Sequence, residues 1–153
     1  MKPSASAQVM RTYLDEVGIG GRLDLIDELA LPDMVDEINQ AFGGPPGRDG
    51  LKAHVKGFVR NVTELEFSVD RIVGGDDEVM AWWSFTGVHT GPWLGRTPTN
   101  ETVTGTVFSF FDLADGRISR YRLWLHARFA DAEVVVDSSR PDAPVTTTER
   151  IAP

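Results

Sequence analysis

The chain has 153 residues, 41% of them apolar and 25% charged, enough for one globular domain with a sizeable core. Its formal net charge of −8 repels a phosphate backbone, which argues against nucleic acid as a partner. The lack of cysteine excludes disulfides, thiolate metal sites and a thiol nucleophile. No apolar run is long enough to cross a membrane, and "MKPSASAQVM" lacks the apolar core of a secretory signal, so a cytoplasmic protein is expected.

Residues 1–8 read as a disordered N-terminus. From there, Val9, Met10, Tyr13, Leu14 and Val17 recur at helical spacing, and "GIGG" (Gly18 to Gly21) stops that helix. A second helix is predicted over about Leu23 to Leu31, ended by Pro32 and Asp33. "MVDEINQAF", Met34 to Phe42, reads as a short strand, and "GGPPGRDG" as a loop. A third helix is predicted over Asp49 to Val62, with Leu51, Val55, Phe58 and Val59 as its apolar stripe.

The apolar period then drops from about 3.6 to 2. Four strands follow, at Leu65–Val73, Glu78–His89, Thr102–Leu113 and Arg117–His126, with "GGDDE" and "ADG" as turns. "ARFADAEVV" reads as a short closing helix and residues 137–153 as a flexible tail, which leaves 9–136 as the folded domain. Helices followed by antiparallel strands predict an α+β fold: a cone-shaped barrel, its curved, mostly antiparallel sheet wrapped around three N-terminal helices, with an internal apolar cavity.

The stretch "GVHTGPWLGRTPTNETV" resembles the SnoaL-like polyketide cyclases of the nuclear-transport-factor-2-like superfamily, with Gly87, His89, Gly91, Gly95, Pro98 and Thr99 in the matching places. "PPGRDGLK", "DDEVMAWW" and "FFDLADGRISRYRLW" resemble other stretches of that family, and the likeness runs from about Val9 to Val134. Relatives include ketosteroid isomerase, limonene epoxide hydrolase, polyketide cyclases and non-enzymatic binding domains, so the resemblance implies a container rather than a reaction. Asn100 and Glu101 depart from the family's Gly and Lys, and Leu123 stands where many cyclases carry an acid/base Asp. The Asp-Arg-Asp set of the epoxide hydrolase falls on Phe85, Trp83 and Leu123 and is missing.

Strand alternation sorts the side chains into two faces. One face, Val79, Ala81, Trp83, Phe85, His89, Val103, Val107, Ser109, Phe111, Tyr121, Leu123 and Leu125, is expected to line the cavity, with Trp93 at its mouth. The other carries Trp82, Phe108, Phe110, Trp124 and His126, too aromatic to stand bare, and predicts a homodimer through the sheet. Glu37, in a place resembling the isomerase's general base, is the expected proton acceptor, with Asp36 replacing it if the register shifts. Tyr13 is the candidate oxyanion donor and His89 the candidate proton shuttle; each also reads as a structural residue. Ser109 and Tyr121 are candidates to hold a carbonyl oxygen. The three histidines, His54, His89 and His126, lie far apart in the chain, so no metal site is expected, and no phosphate-binding loop or other cofactor motif stands out. The expected function is a cofactor-independent cyclase or isomerase of polyketide biosynthesis, acting on a hydrophobic carbonyl compound. The alternatives are a non-catalytic ligand-binding or dimerisation domain of the same fold, or a hydratase or hydrolase of a small apolar molecule.

Overall fold

A computed structural model describes residues 4–140 and 142–150. Ser4 caps helix α1 (Ala5–Thr12) by accepting the Ala7 N–H, and the helix widens into π-type turns over Tyr13–Ile19. The helix thus starts inside the segment expected to be disordered; residues 1–3 lie outside the described residues. Met10, Tyr13, Leu14 and Val17 are buried, as their spacing requires. A 3-10 turn (Leu23–Leu25) leads into a single-turn helix α2 (Ile26–Leu29). The chain then becomes strand β1 (Ala30–Asp36), earlier than the expected helix end, and Pro32 sits within it. The stretch read as one strand splits at Asp36: β1 ends there and α3 (Glu37–Ala41) begins. Helix α4 (Gly47–Val59) lays Leu51 and Val55 in the core.

The rest is sheet: β2 (Val62–Gly74), β3 (Glu78–His89), β4 (Thr102–Ala114), β5 (Arg117–Arg128), β6 (Ala132–Asp137) and β7 (Val145–Glu149). These six lie side by side in sequence order, all antiparallel, and β1 pairs with β5 in parallel to make a seven-stranded sheet. The sheet is large and curved but not closed into a barrel. Register shifts in β2 and β5 mark the bulges that help to bend it. Two expectations fail at the C-terminus. The "closing helix" is a turn followed by β6, whose Ala132, Val134 and Val136 are buried in strict alternation. Within the expected flexible tail, Val145–Glu149 pairs with β6 as β7. Both runs are rich in β-branched residues, which suit a pleated sheet.

The long free edge of β5 is shared. Its first half, Ile118 to Tyr121, pairs with β1, and its second half, Trp124 to Arg128, pairs with β6. Ser138 closes the gap: its Oγ accepts the Leu123 N–H at 2.9 Å and donates to the Leu123 carbonyl at 3.1 Å. This arrangement places Asp36 directly beside Tyr121.

Candidate functional site

A cavity of about 230 Å³ lies between the π-type turns after α1, helices α3 and α4, and the concave face of the sheet. The predicted inward set is buried throughout, from Val79 and Ala81 to Leu123 and Leu125. Of the expected pocket residues, Trp83, Phe85, Trp93, Tyr121, Leu123 and Tyr13 line the cavity. Ser109 and Phe111 lie one layer behind: Ser109 bonds to Trp83 and Tyr121, and Phe111 packs edge-on against both tyrosines. Rings from three elements form one wall. Phe67 stacks on Trp83 at 4.8 Å, and Phe58 meets Phe85 at 4.9 Å and Trp93 at 5.1 Å.

The mouth is shaped by the loop after β3. Leu94 and Gly95 both have positive φ, and Trp93 and Arg96 bond across them as a two-residue hairpin turn. Arg96 is tied to Asp131 at 3.0 Å and Glu149 at 3.3 Å and lies over the Phe129 ring. β7 therefore helps to hold the loop that carries Trp93.

The predicted catalytic trio separates. Glu37 does not face the cavity; its carboxylate pairs with Arg120 on the other side of the sheet edge. The reason is the period of two: Tyr121 points inward, so its neighbour Arg120 points out, and Glu37 follows it. Asp36 takes the inward place, with its side chain 1% exposed. His89 is fully buried but away from the cavity. Its Nδ1 accepts the Thr99 N–H at 3.3 Å, and its backbone bonds to Asn100 and Glu101, so it pins the loop from below. Burial pulls its pKa down, opposed by a bond to the Gly91 backbone and helped by the charge of Arg96, so the ring is neutral at neutral pH.

Asp36, the alternative to Glu37, meets His54, which the expected site lacked, at the cavity wall. Asp36 Oδ2 lies 2.6 Å from His54 Nδ1, and His54 lines the cavity. Burial pulls the His54 pKa down, but the charge and hydrogen bond of Asp36 outweigh it, leaving the imidazole above its ordinary 6.5. The other Asp36 oxygen accepts the Asn39 N–H at 3.1 Å and caps α3. His54 was legible: it falls three residues after Leu51 and four before Phe58, on the apolar face of α4. The Asp36 signal was its place three residues before Asn39, where a helix cap belongs.

Next to this pair is a hydroxyl cluster. Trp83 Nε1 donates to Ser109 Oγ at 3.0 Å, which lies 2.9 Å from the Tyr121 hydroxyl. The Tyr13 ring is edge-on to Tyr121 at 5.8 Å, and the His54 ring lies 5.4 Å from Tyr121. Burial raises the Tyr13 pKa well above the ordinary phenol value, with Tyr121 and the Asp36 charge adding to it. Burial also raises Tyr121, against the lowering effect of the Ser109 hydrogen bond. Both phenols are neutral donors across the physiological range. Among the described residues, no group of three or more His, Cys, Asp or Glu could hold a metal ion, and no helix is long and apolar enough to cross a membrane. The site can move a proton at one end and donate hydrogen bonds beside it, within apolar walls.

No curated protein matches the chain. Several solved structures share its fold. TsrD from Streptomyces laurentii is 20% identical, with a TM-score of 0.67 over 82% of this chain and 90% of that one. A candidate SnoaL-like polyketide cyclase from Jannaschia sp. CCS1 is 24% identical, with a TM-score of 0.68 over the same shares. IdmH from Streptomyces antibioticus, described as a candidate polyketide cyclase, is 22% identical, with a TM-score of 0.61 over 80% and 91%. The SnoaL-like polyketide cyclase profile matches residues 7–127, from α1 to the end of β5, and the chain belongs to that family.

Proposed function

We propose that the protein is a cofactor-independent cyclase or isomerase of polyketide biosynthesis, acting on a compact hydrophobic carbonyl compound. The observation that carries this reading is the buried Asp36 carboxylate on His54 Nδ1, with the imidazole at the wall of an apolar cavity. Held by Nδ1, the ring turns Nε2 away from Asp36. His54 takes a proton from the carbon next to the substrate carbonyl, and Asp36 holds the tautomer and stabilises the imidazolium. A hydroxyl of the Tyr13–Ser109–Tyr121 cluster steadies the oxygen as it gains charge. The nucleophilic carbon then closes the ring or is reprotonated elsewhere, and the imidazolium returns its proton. Trp83, Phe85 and Trp93 hold the chain folded, which supplies orientation. The proton-accepting role expected of Glu37 passes to the Asp36–His54 pair. A purely ligand-binding domain has no need of a carboxylate buried beside its cavity, at the desolvation cost that entails.

The reading is tested by deuterium exchange next to the carbonyl of tetralone, followed by NMR in heavy water. The protein is expected to speed exchange, and His54→Gln to remove roughly 10²–10⁴-fold of that rate. Glu37→Gln is expected to keep it. No acceleration by the unaltered protein, or equal loss in both variants, overturns the proposal.

We also propose that the protein works as a homodimer through the outer face of the sheet. Trp82 is 43% exposed there and stacks on Phe108, which meets Trp124 edge-on. Phe110 and His126 extend the same face.

A further inference from the structure

The hydroxyl cluster beside the Asp36–His54 pair has a direction. Ser109 is fully buried, and its Oγ already accepts the Trp83 indole N–H, which can only donate. The second neighbour of Ser109 Oγ is the Tyr121 hydroxyl. If Tyr121 donated to Ser109 as well, the serine proton would have no acceptor among the described residues, on a side chain shielded from solvent. Buried donors are almost always satisfied, so Ser109 donates to Tyr121. The order is therefore Trp83 to Ser109 to Tyr121, and the Tyr121 proton is free to point onward. Tyr121 lines the cavity, whereas Ser109 does not.

We infer that the pocket takes a compact, uncharged ketone or aldehyde whose carbonyl oxygen accepts the Tyr121 proton, with Ser109 and Trp83 as positioning residues. This rests on the reading that a carbonyl compound occupies the cavity. Three observations set the class. At this end the cavity offers a phenol donor already polarised by a hydrogen bond from Ser109, which suits one carbonyl oxygen. Among the described residues no Lys or Arg lines the cavity, and the one group there able to carry a positive charge, His54, is already held by the Asp36 carboxylate, so a second anion finds no unpaired counter-charge. The volume of about 230 Å³ is below the ~300–1,000 Å³ of drug-sized sites, which limits the buried part to one or two fused rings. Tyr13, from the first helix, lacks the Ser109 bond and acts as a neighbour of Tyr121.

Equilibrium binding at neutral pH of three probes of one shape tests this: methyl naphthyl ketone, isopropenylnaphthalene, in which carbon replaces the carbonyl oxygen, and naphthoate. The ketone is expected to bind about fivefold more tightly than the hydrocarbon, and at least about tenfold more tightly than naphthoate. Tyr121→Phe is expected to erase the preference for ketone over hydrocarbon while leaving hydrocarbon binding intact, which also shows that the variant is folded. Ser109→Ala is expected to shrink that preference, and Tyr13→Phe to keep it. The inference is overturned if Tyr13→Phe rather than Tyr121→Phe erases the preference, if naphthoate binds as tightly as the ketone, or if none of the probes binds. Binding as expected without tetralone exchange overturns the catalytic reading and leaves this one standing.

Discussion

Asp36 serves two partners with its two oxygens: Oδ1 caps α3 through the Asn39 N–H, and Oδ2 holds His54. The two duties separate by substitution. In Asp36→Asn the amide oxygen keeps the cap, but the amide N–H now donates to His54 Nδ1. That moves the ring proton to Nε2, so the nitrogen facing the cavity can no longer accept one. Exchange of tetralone is expected to fall by roughly 10⁴-fold, as for a triad held in the wrong tautomer. Asp36→Ala loses the cap too and is expected to be less stable than the Asn variant by about 1 kcal/mol in chemical denaturation. The pH dependence follows from the sign of the His54 shift. Its folded pKa lies above the ordinary 6.5, so the protonated form is favoured by folding. The stabilisation from the pair is fully present below 6.5 and fades as pH rises through the folded value. In Asp36→Asn burial acts unopposed, and the His54 titration followed by NMR is expected to move below the ordinary histidine value.

At the scale of elements, β3, β4 and β5 hold the concave wall by alternation, and one cross-strand pair sets its depth. Phe85 lies opposite Gly105, and a Cβ at Gly105 would overlap the Phe85 ring. Gly105→Ala therefore drives the ring toward the cavity. It is expected to cost about 1–3 kcal/mol in thermal or chemical unfolding and to weaken methyl naphthyl ketone binding. These strands were legible because each shows a long, unbroken period of two; β3 runs from Glu78 to His89, as its pattern predicts. The β1–α3 junction was not. Its strand pairs in parallel with β5, more than eighty positions away in the chain, and its helix has a single turn. Which of Asp36 and Glu37 turns inward depends on that distant register, so local pattern alone favoured neither. The Asp36–His54 contact, like the Arg120 partner of Glu37, exists only once β1, α4 and β5 are together.

For the whole molecule, the sheet has one face closed by helices and one left aromatic, and the second face is the interface proposed above. Two polar pairs bordering that face are made within the protomer: Arg122 with Asp112 at 2.8 Å, and Glu133 with His126 at 3.0 Å. The face offers a partner the aromatic stripe of Trp82, Phe108, Phe110 and Trp124, a surface suited to an apolar contact between two copies. Each copy carries a formal net charge of −8, so two copies repel at long range while their aromatic faces attract at short range. Salt screens the first beyond ~10 Å at about 0.1 M and barely touches the second. Sedimentation equilibrium is expected to show a dimer that tightens as salt is added, the opposite of an assembly held by ion pairs. Trp82→Glu places a charge at the β3 end of the stripe, where it cannot be solvated once buried, and is expected to shift the equilibrium to monomer. Trp82 points away from the cavity, so the same variant is expected to bind methyl naphthyl ketone as before. A monomer at all salt concentrations, or a dimer untouched by Trp82→Glu, removes this face as the interface and leaves the cavity argument as it stands.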